Sequence, residues 1–191
     1  MIDKILQLDK ELFLFLNGLG TETWDSLWLA VTNKWIFGSL YAIVLIYLIF
    51  KKLGIKYVLF FIVITSLLIL FTDQITNLFK YVLVKRPRPC QETDIQEVFR
   101  FVAGSCGRYG FFSGHSSNSM AIAVFIGLSL RSQYKNLIFF FLFFSAVIAY
   151  SRIYVGVHYP LDIIFGMLFG AIAGYLFYKL QAILAKKFIS S

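Results

Sequence analysis

Residues 57–79, YVLFFIVITSLLILFTDQITNLF, form an apolar block of 23 residues containing one acid, Asp73, and no base. A helix needs about 20 such residues to cross the hydrocarbon core of a bilayer. Four more blocks of this kind lie near 35–50, 114–130, 136–152 and 160–184. The expected fold is therefore all-α: an integral membrane helical bundle with five or six spans plus an N-terminal surface helix. Residues 2–16 interleave Ile, Leu and Phe with Asp, Lys and Glu at helical spacing, which suits a helix lying in the membrane interface. Asn17-Gly18 and Gly20 break that pattern, and 24–33 reads as a second, partly inserted helix. These two pieces either stay at the surface or together make the sixth span. Residues 1–191 read as a single membrane-embedded domain: N-terminal helices over 1–34, a bundle over 35–184, and one long polar loop over 85–112.

The composition agrees. Of 191 residues, 59% are hydrophobic and 15% charged, with a net charge of +8, whereas soluble domains run to about a quarter charged. In a membrane protein, basic residues set topology or meet anionic head groups, so no nucleic-acid partner is expected. Asp3, Asp9 and Glu11 occupy the place of a basic leader region, so no cleavable signal peptide is expected. With five spans, Lys51, Lys52, Lys56, Arg131, Lys135, Lys179, Lys186 and Lys187 all fall on one face, and the loop acids fall on the other. The positive-inside rule makes the basic face cytoplasmic. The long loop then faces outward, in oxidising surroundings that favour a disulfide between Cys90 and Cys106. Closing that loop is worth roughly 3 kcal/mol in the chain-entropy model.

Three polar clusters reach the outward face. The first is Lys80 followed by Lys85-Arg86-Pro87-Arg88-Pro89, the second Ser113-Gly114-His115-Ser116, the third Ser151-Arg152 with His158 and Asp162. His158 and Asp162 are four apart, and Pro160 suits a first helical turn, so Asp162 reaches one ring nitrogen and leaves the other for substrate. Arg152 offers a planar fork to phosphate oxygens. Ser113-Gly114 opens a helix whose free N–H groups favour an anion. Cations and a helix N-terminus around two histidines describe an oxyanion cage with a nucleophile and a proton donor.

These clusters resemble the signatures of the type 2 phosphatidic acid phosphatase superfamily over about residues 70–175. Ser151-Arg152, five residues, His158, three residues, Asp162 is similar to its last signature. Ser113-Gly114-His115 is similar to its middle one, which usually begins with Pro where Phe112 stands. Its first is Lys, six residues, Arg-Pro, whereas here seven residues separate Lys80 from Arg88 and five separate it from Arg86. A one-residue bulge at the helix end pairs Lys80 with Arg88, and Arg86 stays as the alternative ligand.

The resemblance implies a phosphatase without metal or cofactor. His158 forms a phosphohistidine, Asp162 orients it, and His115 serves as acid and then base. Lys80, Arg88, Ser113, Gly114 and Arg152 hold the phosphoryl group. The implied partners are the bilayer and a lipid phosphate, with undecaprenyl diphosphate or phosphatidylglycerophosphate favoured and lipid A or phosphatidate as alternatives. The implied location is the cytoplasmic (inner) membrane, with the site on its outer face. An anion-binding transporter is the non-enzyme alternative, and it predicts polar residues through several spans and internal symmetry. Asp73 has no partner assignable from sequence.

Overall fold

The computed structural model describes residues 1–188, so the last three residues of the expected 1–191 unit lie outside it. Among the described residues there are seven α-helices: α1 Ile2–Gly18, α2 Glu22–Thr32, α3 Lys34–Leu53, α4 Ile55–Leu78, α5 Gly114–Ser129, α6 Leu137–Tyr154 and α7 Pro160–Phe188. A π-helical turn, Phe79–Leu83, extends α4, and two 3-10 turns, Pro89–Gln91 and Thr93–Ile95, sit in the long loop.

The chain is an all-α integral membrane bundle. Ile55–Leu83, Leu137–Tyr154 and Pro160–Lys187 are long and apolar enough to cross a bilayer on their own. Of the other two expected spans, α3 is a 20-residue apolar helix, and α5 differs for a physical reason. Lysines close both ends of α3: Lys34, and Lys51 with Lys52. α5 has only 16 residues, opens on the polar run His115–Ser119, and lies inside the bundle against α4, α6 and α7. Protein rather than lipid surrounds it, so it needs neither the length nor the uniform hydropathy of an outer helix.

Small residues bring α5 and α7 together. Gly166, Gly170 and Gly174 recur every four residues on α7, where a Cβ would strike the backbone of Ser113, Ser117 and Ala121 in turn. Such a stripe lets two backbones approach closely where lipid gives no hydrophobic drive to pack. Away from the polar end, Leu45, Phe61, Leu68, Phe125, Ile126 and Phe141 close the core. Outward lie Ile62, Leu67, Phe139, Phe143, Leu168 and Ile172, an apolar coat that belongs in hydrocarbon.

The two ends of the bundle differ in charge. At one, Lys52 sits over the Tyr134 ring, the Tyr134 hydroxyl donates to Leu48 O at 3.4 Å, and Ser129 donates to Gln181 at 3.3 Å. That end gathers the α3–α4 and α5–α6 turns with the tail of α7. The other end carries the long loop, stapled by a Cys90–Cys106 disulfide and tied back on itself by Gly110 N to Arg86 O at 2.9 Å. α1 packs here, showing the bundle one stripe only: Asp9, Phe13 and Asn17, four apart. Asn17 donates to the carbonyls of Arg100, Ile153 and Tyr154 and accepts from Arg100 N at 2.7 Å. Ile2, Ile5, Leu8, Leu12 and Phe15 stay exposed on its other faces.

Candidate active site

The histidine at the centre is held by the helix that follows it. His158 ends the α6–α7 connection, and Pro160 opens α7, where a missing N–H leaves nothing unsatisfied. Asp162, in that first turn and fully buried, places Oδ2 at 3.2 Å from His158 Nδ1, and the same oxygen accepts from Tyr159 N at 3.1 Å. His158 Nδ1–H therefore donates backward, and Nε2 carries the free lone pair. Burial pushes the His158 imidazole well below its ordinary pKa, and the cations Arg88, Arg152, Lys80 and Arg86 push it further. The ring is neutral at physiological pH, the state a nucleophile needs.

His158 shares the wall of a cavity of about 500 Å³ with Lys80, Arg88, Gly114, His115 and Arg152. Six of the eight expected phosphate-handling and catalytic residues, His158 included, are thus separated in sequence and gathered in space. Lys80 reaches it because of the π-helical turn. One wide turn, closed by Val84 N to Phe79 O at 2.9 Å, absorbs the seventh residue of the Lys80–Arg88 spacing. The Arg-Pro-Arg-Pro run is extended at Arg88, because proline disfavours helix for the residue before it. Arg88 lines the cavity, its Nε fixed on Tyr109 O at 2.9 Å. Arg86 does not line it. It lies behind His158, donating to Asp162 Oδ1 at 3.1 Å and to Asp9 Oδ2 at 2.6 Å.

Arg152 enters from α6. One guanidinium nitrogen is hydrogen-bonded to the Thr32 hydroxyl, while its Nε is buried with no protein partner. An unpaired buried donor beside a cationic cavity suits an anionic ligand. Ser113 and Gly114 divide their expected task. Gly114 lines the cavity, and a Cβ there would stand 3.6 Å from Lys80 Nζ. Ser113 is fully buried outside the cavity wall, its hydroxyl capping Ser116 N at 3.5 Å and its N–H held by Asp162 O at 2.9 Å. It positions the start of α5 rather than offering its hydroxyl to the cavity.

Asp73, which has no partner assignable from sequence, finds one on α5. Asn118 donates to it at 2.8 Å and accepts from Thr72 at 2.5 Å, with both Asp73 and Asn118 in the cavity wall. Thr32 and Asn118 lie outside the three clusters, although Asn118 belongs to the polar run His115–Ser119 that opens α5. Below this polar end the walls turn apolar: Ala42, Leu45, Ile69, Ile122 and Ile148. A narrower groove continues past Ala42, Leu45 and Thr65 to Ile49, Phe61 and Ile126, opening outward between Ile46 and Ile62. Among the described residues, no three His, Cys, Asp or Glu side chains are grouped to hold a metal ion.

The family model of the PAP2 superfamily matches residues 56–185. The lipid A 4'-phosphatase of Bacteroides thetaiotaomicron is 36% identical over 180 residues, spanning 93% of this chain and 79% of that protein. The lipid A 4'-phosphatase of Porphyromonas gingivalis is 32% identical over 179 residues, spanning 93% and 75%. Two crystal structures share the fold. Aquifex aeolicus LpxE has a TM-score of 0.64 at 22% identity, covering 90% of this chain and 95% of its own. A PAP2-type phosphatidylglycerolphosphate phosphatase from Bacillus subtilis has a TM-score of 0.74 at 16% identity, covering 94% and 87%.

Proposed function

The chain belongs to the PAP2 superfamily, is a membrane lipid phosphatase, and, we propose, removes the 4′-phosphate of lipid A through a phosphohistidine on His158. The substrate expected first from sequence was undecaprenyl diphosphate or phosphatidylglycerophosphate. The alternative, lipid A, is the better supported, because two relatives of that name align along 93% of the chain. The observation that carries the reading is the cavity itself. One end holds His158, His115, Lys80, Arg88 and Arg152, and the other is apolar and open to lipid.

The chemistry follows from that layout. His158 Nε2 attacks phosphorus, forming a P–N bond as the bond to the sugar oxygen breaks. Lys80, Arg88, Arg152 and the Gly114 N–H bind the three phosphoryl oxygens, whose charge spreads in the transition state. His115 gives its proton to the departing sugar oxygen. It then takes one from water, whose oxygen displaces His158 and releases inorganic phosphate. Asp162 stabilises the imidazole as charge develops on it. Three fixed cations supply the electrostatic stabilisation, and the reaction is metal-independent. Lys85 and Arg108, exposed in the long loop, suit a polyanionic head group, while the acyl chains follow the apolar walls between α3, α4 and α5. The basic end, which carries Lys51, Lys52, Arg131 and Lys135, faces the cytoplasm by the positive-inside rule. The site then opens on the outer, periplasmic side of the inner membrane.

The test is phosphate release by purified protein in EDTA from lipid A, undecaprenyl diphosphate, phosphatidylglycerophosphate and phosphatidate. Lipid A is expected to be the best substrate, with His158→Ala at least about 10³-fold slower. A better rate on another of the four lipids overturns the substrate. Turnover by His158→Ala, or its loss in EDTA, overturns the mechanism.

A further inference from the structure

Asp9 is an acid on the N-terminal helix, outside the segment matched by the family model, yet it is only 5% exposed. Nothing about an interfacial helix requires a buried carboxylate there, and burying one is costly unless it is paired. Its pairing is complete. Oδ2 takes the Arg86 guanidinium at 2.6 Å, and Oδ1 accepts Leu161 N at 2.8 Å, capping one free donor of the first turn of α7. Arg86 gives its other terminal nitrogen to Asp162 Oδ1 at 3.1 Å, and its Cζ lies 4.2 Å from the centre of the Tyr159 ring. Asp162 is thereby held on both oxygens, Oδ1 by Arg86 and Oδ2 by His158 and Tyr159 N.

We propose that Asp9 and Arg86 are positioning residues of the active site, a buried chain Asp9–Arg86–Asp162 through which α1 fixes the carboxylate that orients His158. The inference rests on the reading of His158 as nucleophile. It assigns Arg86 a task different from that of Arg88, two residues on: Arg88 lines the substrate cavity, and Arg86 sits on the far side of the catalytic pair. The planar fork suits the task, because its two terminal nitrogens point apart and each meets one carboxylate. The anchoring of α1 supports the same role. Lys10, the next residue, pairs with Glu92 at 2.9 Å and Asp94 at 2.6 Å in the long loop, and Asn17 is clamped to the end of α6. A helix fixed at both places holds Asp9 still.

The experiment uses the full chain in detergent with a lipid A substrate, and the variants Asp9→Asn, Arg86→Ala, Arg86→Lys and Asp9→Asn/Arg86→Ala. We expect kcat to fall roughly tenfold or more with KM within about twofold, and the double variant to lose no more than Arg86→Ala alone. Arg86→Lys recovers part of the loss. The chain has two histidines, so ¹⁵N-histidine labelling gives two imidazole signatures. In the wild type His158 shows a single Nδ1–H tautomer. In the Asp9 and Arg86 variants that signature changes, while the His115 signature stays and reports an intact fold. Should Arg86→Ala fail to fold, the isosteric Asp9→Asn carries the test. Unchanged kcat and an unchanged His158 signature, or losses that multiply in the double variant, overturn the proposal. If His158→Ala itself retains turnover, the reading of the site fails instead, and the two failures are told apart by that control.

Discussion

Arg86 and Arg88 show how finely roles divide at the scale of single residues. Both sit in one short run, but only Arg88 meets the cavity. Arg88→Ala should lower kcat/KM by about 10²–10³, the loss typical of one preorganised oxyanion donor, and weaken inhibition by vanadate in parallel. Activity and vanadate sensitivity at wild-type levels would exclude it from the phosphate cage. The pair His158 and Asp162 was legible in sequence because four residues at a helix start fix a hydrogen bond almost by geometry. The division between the arginines was not. It depends on a π-helical turn at Phe79–Leu83 and on a carboxylate, Asp9, that arrives from 77 residues upstream of Arg86. Asp73 stayed obscure for a similar reason, since its partner Asn118 stands on another helix.

At the scale of elements, hydropathy located the helices but not what surrounds them. The block 114–130 read as a span of the same kind as 57–79, yet α5 is the inner post of the bundle and the others stand around it. The sign of that was the glycine stripe on α7, visible in sequence but meaningful only once its partner was known. Gly170→Ala should destabilise the protein by about 1–3 kcal/mol through overpacking against Ser117, lowering Tm by roughly 5 °C for a chain of this size. Gly104→Ala, where nothing lies within 4 Å of the added Cβ, is the control and should leave Tm unchanged. Equal melting of the two variants would remove the stripe from the account of how α5 and α7 pack. On α1, the outward apolar residues were readable from their helical spacing. The inward stripe was not, because an acid on an amphipathic helix is ordinarily assigned to water.

For the whole molecule, the decisive property is that one cavity joins a cationic end to an apolar groove. Ala42 lines both parts, and filling that position separates them. Ala42→Phe should raise KM for lipid A several-fold, since each buried methylene of a chain is worth about 0.8 kcal/mol. Hydrolysis of a short-chain, water-soluble phosphate ester by the same variant should be unaffected. An equal loss on both substrates would mean that the groove shapes the catalytic end rather than receiving a tail. The opening between Ile46 and Ile62 has a consequence for how the enzyme's kinetics must be expressed. Substrate that enters sideways from the lipid phase is counted per area of membrane, not per volume of water. Saturation then follows the mole fraction of phosphorylated lipid among its neighbours, and adding inert lipid at constant bulk concentration acts as dilution in two dimensions.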